Sequence, residues 1–167
     1  MKYDLLQSNF SSSGWSFSAT DTCGVKRFVG GYNQFGRNSV ATKTFTGLMT
    51  HTSVTIKFTA YYIREWDGYS NPADDDSAIL YINNELAFHR VYEAGSSTHC
   101  YYDNYYDSSG DIQSRAVYAY IRDETIYNFP HNSSSLILNF TTSLNAELYN
   151  EAFGFSDIVI TVNITCD

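Results

Sequence analysis

The sequence predicts an all-β protein, a two-sheet antiparallel β-sandwich. Among its 167 residues are 15 Tyr and 11 Phe, and the aromatic and β-branched residues that favour strands occur throughout the chain. No segment has a convincing helical period. The clearest strand pattern covers 53–63, where one face is polar and the other carries Val54, Ile56, Phe58, Ala60 and Tyr62.

About ten segments qualify as strands, separated by turn residues. Asn83-Asn84 predicts a tight hairpin turn, because Asn tolerates positive φ. We find no domain boundary and no internal repeat, so residues 1–167 are expected to form one domain. The candidate strands are Leu5–Gln7, Trp15–Ala19, Val25–Val29, Val40–Thr46, Ser53–Ile63, Ala78–Ile82, Leu86–Val91, Ala116–Ile121, Ser135–Thr142 and Ser156–Thr165.

The charge balance limits the class of partner. The chain has 10 Lys and Arg against 18 Asp and Glu, a formal net charge of −8. Such a chain repels phosphates, so we expect neither nucleic acid nor an anionic membrane as partner. No apolar run approaches the roughly 20 residues that span a bilayer, so membrane insertion is not expected. Cations, neutral sugars and basic surfaces remain as partners.

Four Asn-x-Ser/Thr sequons begin at Asn9, Asn132, Asn139 and Asn163. Strand alternation directs Asn139 and Asn163 away from the apolar faces of their segments, where a glycan could be accommodated. We therefore expect a glycosylated protein that is secreted or displayed at the cell surface.

The three cysteines allow one internal disulfide and leave one thiol over. No C-x-x-C spacing is present, so a zinc site is not expected. If the first and last strands pair antiparallel, Cys23 and Cys166 lie at the same end of the sandwich. This placement favours a Cys23–Cys166 bridge, and Cys23–Cys100 is nearly as plausible. An odd cysteine in a secreted chain also suggests an intermolecular bond.

Several motifs follow one another in a fixed order: Cys23-Gly24, 28–36, 42–45, Trp66-Asp67-Gly68 and 131–155. In this order they resemble a β-sandwich repeat common in ciliate cell-surface and secreted proteins, which implies an extracellular domain and no particular reaction. The chain departs from that pattern by an insertion at 71–76 and by a longer, more aromatic segment at 101–107.

A more distant resemblance joins the two ends of the chain. Leu5-Leu6 and Gly14-Trp15 at the start, with Asp157-Ile158-Val159 at the close, are similar to jelly-roll carbohydrate-binding modules of the galactose-binding type. In such modules a structural calcium often ties the first loop to an Asp at the start of the last strand. The resemblance implies Asp157 as a calcium ligand here, and Glu151 is a second candidate.

The alternatives for these carboxylates are ordinary ones. Asp157 could make a strand-start hydrogen bond, and Glu151 could be solvated. The acidic residues 65–67 and 74–76 are more typical of a solvated face than of a cation site, and their spacing is not that of an EF-hand loop.

The surplus of tyrosine predicts a contact surface. Tyr carries a flat apolar ring and a hydroxyl, so exposed Tyr side chains stack on sugars or form protein interfaces. About half of them should line the core. Two groups of tyrosines are expected outside the core, one in a loop and one as an outward-facing stripe on a strand. Trp66, near the acidic segment, is a further candidate. The candidates are Trp66, Tyr101, Tyr102, Tyr105, Tyr106, Tyr118 and Tyr120.

Three functions fit these features. The preferred hypothesis is a non-catalytic extracellular module that joins copies of itself or other extracellular proteins through aromatic surfaces, a terminal strand or the odd cysteine. The alternative is a lectin-like module that binds glycans. A glycan-acting enzyme is the weakest, because no G-x-S-x-G, phosphate-loop or H-E-x-x-H motif is present.

Overall fold

The computed structural model describes residues 2–6, 13–66, 68, 76–91, 97–106, 109–110 and 112–164, with the backbone alone for 2–6, 105 and 106. Within these residues no helix is long and apolar enough to cross a membrane. The described strands are β1 (Lys2–Leu6), β2 (Thr20–Cys23), β3 (Lys26–Gly30), β4 (Val40–Thr46), β5 (Ser53–Arg64), β6 (Ser77–Ile82), β7 (Glu85–Val91), β8 (Thr98–Tyr106), β9 (Ile112–Pro130), β10 (Ser135–Thr142) and β11 (Glu151–Asn163).

The strands form two antiparallel sheets, which confirms the predicted sandwich. The large sheet has the order β2-β3-β11-β5-β9-β8, and β1 also pairs with β11. The small sheet has the order β4-β10-β6-β7. The predicted pairing of the first and last strands is present, with Leu6 opposite Val159 and Lys2 opposite Asn163. Asn83 and Asn84 form the predicted turn between β6 and β7, with φ of 49° and 68°.

The main core lies between the sheets. From β5 it receives Val54, Ile56, Phe58, Ala60 and Tyr62, the alternating set that the sequence predicts. The small sheet contributes the apolar positions of β6 and β10, whose burial also alternates. Each large apolar side chain buried in this way contributes about 1.5–3 kcal/mol.

A second apolar cluster, the outer core, covers the opposite face of the large sheet. The second half of β5 is buried on both faces, because Tyr61 and Ile63 pack there against Phe28 and Val117. The ring of Phe28 stacks on Tyr61 with centroids 4.1 Å apart and planes 15° apart. β2 and β8 occupy opposite edges of this sheet, yet a disulfide joins them. The large sheet therefore curls until its two edges meet over the outer core.

Four predicted segments differ from the structure. Residues 15–19 are not a strand: Trp15 is buried, and its ring meets Phe155 edge-on at 4.8 Å. The last strand begins at Glu151, earlier than predicted, because residues 151–156 are buried on both faces and show no alternation. Residues 101–106, expected in a loop, belong to strand β8. Strand β9 extends well beyond the predicted 116–121.

Candidate functional site

The inner face of the large sheet extends past the small sheet. Tyr120 of β9 lies directly opposite Tyr62 of β5 in the sheet register, and Tyr62 belongs to the main core. Side chains two residues apart on a strand share a face, so Tyr118 lies on the same inner face as Tyr120. The small sheet ends at β7, whereas the large sheet continues to β8. This part of the inner face is therefore less covered than the main core.

Three rings form a continuous exposed surface there, which we call the aromatic platform: His99, Tyr102 and Tyr118. His99 of β8 lies opposite Tyr118 of β9. The His99 ring centroid is 4.6 Å from that of Tyr102 and 5.5 Å from that of Tyr118. Tyr102 and Tyr118 remain 66% and 40% exposed. The three rings belong to two paired strands and not to a loop. Each ring contact restricts the rotation of the two side chains that it joins.

Charged groups lie farther along β9 on the same inner face. The Nε of Arg90 on β7 is 2.9 Å from Oε1 of buried Glu124 on β9. The hydroxyl of Tyr62 donates a hydrogen bond to the same Glu124 oxygen at 3.2 Å. Burial, followed by the charge of Glu124, raises the pKa of Tyr62, so this hydroxyl remains a donor at physiological pH. Arg122, between Tyr120 and Glu124 along the strand, is exposed on the same face.

The structure separates the predicted contact residues. Tyr102 and Tyr118 are exposed as expected, and Tyr120 is half-buried against the main core. The prediction for Trp66 is wrong: its side chain is fully buried, and its indole N–H donates to the Ala152 carbonyl at 2.8 Å. Trp66 also meets the Tyr62 ring edge-on, so the main core takes up its whole surface. The side chains of Tyr105 and Tyr106 lie outside the described residues.

Tyr101 also differs from its prediction, because it points to the outer core. Its hydroxyl donates to Oδ2 of Asp21 at 2.6 Å and its ring is half-buried beside that cluster. Burial, together with the hydrogen bond to Asp21, raises the pKa of Tyr101. Tyr101 and Tyr102 face opposite sides of β8, as successive strand residues do. The irregular register between His99 and Tyr101 places His99 on the same side as Tyr102, three residues later.

The two predicted calcium ligands do not meet. Asp157 and Glu151 lie six residues apart on β11, about 20 Å at the rise of a strand. Asp157 accepts a hydrogen bond from Ser156, and Glu151 accepts one from the backbone N–H of Ala146. Within the described residues no group of three or more His, Cys, Asp or Glu could hold a metal ion. A site joining Asp157 to the first loop stays a prediction, since residues 7–12 lie outside the description.

The sequons differ in their surroundings. Asn132 is exposed, whereas Asn139 and Asn163 are half-buried. The side-chain oxygen of Asn139 accepts from Thr42 at 2.6 Å, and the amide nitrogen of Asn163 donates to Asn128 at 3.1 Å. Asn9 lies outside the described residues. Glycosylation of these four positions stays a prediction.

The disulfide joins Cys23 to Cys100. The preferred pairing of Cys23 with Cys166 is therefore wrong, and the alternative is confirmed. The physical reason is the curl of the large sheet, which brings the β2 edge to the β8 edge. Cys166 lies outside the described residues.

Sequence reasoning missed His99, Arg90 and Glu124. His99 stands beside Cys100 in the sequence, and a lone His-Cys pair is usually structural. Its place in the platform depends on β8 pairing with β9 and on the irregular register between them. Arg90 and Glu124 come together only because the edge of the small sheet crosses β9, and no local pattern reports that contact.

Comparison with solved structures bears on the fold alone. No family model and no curated protein matches the sequence. Among solved structures, the chain is similar to the CBM36-1 domain of a multidomain xylanase from the hindgut metagenome of Trinervitermes trinervoides, with 11% identity, a TM-score of 0.50 and coverage of 99% of this chain and 100% of that one. It is also similar to the CBM22-1 xylan-binding domain of Paenibacillus barcinonensis Xyn10C, with 11% identity, a TM-score of 0.39 and coverage of 95% and 91%. At such identity the first likeness shows a shared jelly-roll fold and nothing more. The second is too distant in structure to support a conclusion about the fold.

Proposed function

We propose that this domain is a non-catalytic carbohydrate-binding module whose ligand site is the aromatic platform. The observation that carries the proposal is the exposed cluster of His99, Tyr102 and Tyr118 on two paired strands. Contiguous exposed rings are unusual on a surface without a partner. The likeness of the whole chain to a carbohydrate-binding module of a xylanase supports the same class of ligand.

The chemistry of the platform suits a sugar chain. The C–H faces of a pyranose are apolar and pack on the faces of tyrosine rings, while its hydroxyls need donors and acceptors around the edge. The hydroxyls of Tyr102 and Tyr118 supply such groups at the platform itself. Strand-borne aromatic side chains lose little conformational entropy on binding, which favours a preformed site.

The environment of Glu124 supports binding without catalysis. Glycoside hydrolysis requires two carboxyl groups facing the bond to be cleaved. Glu124 is a carboxylate on the platform's side of the sheet, and it is buried and engaged by Arg90 and Tyr62. Glu124 also lies six residues along β9 from Tyr118, about 20 Å at the rise of a strand, too far to act on a sugar bound at the platform.

An extracellular setting fits the covalent structure. A disulfide such as Cys23–Cys100 persists in oxidising compartments and is rare in the cytosol of most organisms. The four sequons are consistent with the same setting.

Self-assembly, preferred from the sequence, has weaker grounds in the structure. Much of the tyrosine surplus that suggested an adhesive surface is internal, including Tyr32, Tyr61 and Tyr62. Assembly was favoured partly because the sequence has no recognisable ligand motif. The platform is a candidate ligand surface that no such motif indicates. We expect a monomer in native mass measurements under both reducing and non-reducing conditions.

The test is glycan binding with matched variants. The protein is screened on an array of plant, microbial and animal glycans, and affinities for retained glycans are measured by calorimetry. Tyr118→Ala and Tyr102→Ala should each weaken binding about tenfold, a loss of ~1.4 kcal/mol. Tyr127→Ala is the control, because Tyr127 is 73% exposed on β9 and lies about 30 Å along the strand from Tyr118.

Unchanged folding of each variant is checked by its thermal unfolding midpoint. Equal losses in all three variants, undiminished binding by Tyr118→Ala and Tyr102→Ala, or no retained glycan would each contradict the proposal.

A further inference from the structure

Two buried histidines meet at one end of the sandwich. His51 lies in the loop from β4 to β5, and His131 lies in the loop from β9 to β10. Each of these loops crosses between the small and the large sheet. Only 3% of His51 and 8% of His131 is exposed. Their rings lie nearly parallel, 16° apart, with Nε2 of His51 at 2.7 Å from Nδ1 of His131.

The contacts of the four ring nitrogens set the number of protons. Nδ1 of His51 faces the carbonyl of Met49, and Nε2 of His131 faces the carbonyl of Ser135 at 3.1 Å. A carbonyl only accepts, so both outer nitrogens must carry a hydrogen. The nitrogen–nitrogen contact requires one hydrogen more. Three contacts therefore need three protons, whereas two neutral imidazoles bring two.

We propose that His51 and His131 form a binding site for one extra proton, which they share between Nε2 and Nδ1. The pair then carries a single positive charge, and all three contacts are hydrogen bonds. Without that proton, either two lone pairs face each other or one carbonyl contact loses its hydrogen. With a second extra proton, two N–H groups and two charges face each other. Only the singly charged pair satisfies every nitrogen.

The surroundings oppose the second proton. Burial, followed by the charge of His51, lowers the pKa of His131, while the Ser135 carbonyl acts in the other direction. His51 is the only charged side chain among these causes. Of the groups that the described part of the chain places beside the pair, the Met49 carbonyl before β5, Thr52, Pro130 at the end of β9 and Asn132 carry no charge.

The proton site is tied to the end of the sandwich. A cavity of about 300 Å³ lined by Thr52, Pro130, His131 and Asn132 gives solvent access beside the pair. The backbone N–H of His131 donates to the Thr52 carbonyl, and that of Leu48 donates to the Ser134 carbonyl. The two crossing loops are thus bonded on both sides of the histidines, and loss of the shared proton should loosen them together.

The sign of the pH dependence follows from these states. A folded-state pKa of His131 below its ordinary value of 6.5 means that the folded protein binds the second proton less well than the unfolded chain. Stability from the pair is then lost as pH falls below that value. It is also lost as pH rises and the shared proton leaves. The contribution of the pair should pass through a maximum.

The deciding experiment is ¹⁵N NMR of the histidine rings in the wild-type protein between about pH 5 and 8. We expect hydrogens on Nδ1 of His51 and Nε2 of His131, and a third one that couples both inner nitrogens across the hydrogen bond. Two protons throughout the range, or an Nε2 of His131 without hydrogen while the contact persists, would overturn the proposal.

A second readout is the unfolding midpoint against pH. Wild type should show a maximum, and His131→Gln should flatten it. His89→Gln is the matched control, because His89 is exposed on β7 and its ring contacts Oγ of Ser77 on β6, away from the pair. It should leave the curve unchanged. Parallel curves for wild type and His131→Gln would count against the shared proton, and if that variant fails to fold, the NMR result alone decides.

Discussion

The large sheet has an apolar core on each face, and the two cores are built differently. The main core joins two sheets through alternating side chains, with Phe140 and Phe155 stacked at its centre, 4.1 Å apart. Among the described strands, none forms a second sheet over the outer core. It depends on the curl of one sheet, on the Cys23–Cys100 bond, and on the Tyr101–Asp21 contact.

This difference bears on function because β8 belongs to the outer core's closure and also carries part of the platform. Its Cys100 is bonded to β2, and its His99 and Tyr102 contribute two of the three platform rings. We therefore expect damage to the main core to unfold the whole domain, and damage to the outer core to loosen β8 and the platform first.

The largest effect should come from the main core. Phe155→Ala removes a fully buried ring that packs on Phe140 and Trp15, and should cost about 3–5 kcal/mol. Urea unfolding followed by circular dichroism measures this loss. A change below about 1 kcal/mol would mean that the two sheets do not share a tightly packed centre.

The next largest effect should come from the outer core, when its disulfide is replaced. Cys23→Ser with Cys100→Ser opens a bridge between residues 77 apart in sequence, and should cost about 2–4 kcal/mol. Amide exchange should rise in β2 and β8 while β10 stays protected. Reduction of the wild type serves as the control and should give the same pattern. Equal loss of protection in β10 would remove the distinction between the cores.

A smaller effect should follow from Gly154→Ala. A Cβ atom at Gly154 would lie 2.4 Å from a ring carbon of Phe28, which crosses that glycine to stack on Tyr61. Displacement of the ring should cost about 1–3 kcal/mol by overpacking. Thermal unfolding measures the cost, and restoration of the midpoint in Gly154→Ala with Phe28→Leu would identify the clash as its cause.

The smallest effect should come from Tyr101→Phe, which removes the hydroxyl bonded to Asp21. A hydrogen bond to a charged group contributes about 1.5 kcal/mol or somewhat more. Because the pKa of Tyr101 is raised above its ordinary 10.0, this contribution should be constant at neutral pH and disappear only as pH rises through the folded-state value. A difference between variant and wild type that grows with pH would contradict this contact.

The two cores also explain which elements could be predicted from the sequence. Val40–Thr46 and Ser135–Thr142 were predicted to the residue, because each has one buried face and so alternates. Residues 151–155 were missed because both faces of this segment are buried, by the main core on one side and the outer core on the other. A segment buried on both faces has no alternating pattern of its own.

The site was only partly predictable for a related reason. A surplus of tyrosine in a sequence indicates that the rings make contacts. It does not show whether those contacts lie inside the domain or with a ligand. Tyr118 and Tyr102 were predicted as contact residues and are exposed, whereas Trp66 and Tyr101 are held by Ala152 and Asp21. These contacts join residues far apart in sequence, and the Tyr101–Asp21 contact depends on the curl that also determined the disulfide.

Chemical-shift mapping tests the central claim most directly. The ¹⁵N- and aromatic ¹³C-labelled protein is titrated with a glycan retained on the array. We predict that the largest changes fall on His99, Tyr102 and Tyr118 and that they saturate together with the calorimetric isotherm. Saturable binding that leaves these three rings unchanged and shifts another part of the domain would contradict the platform as the ligand site.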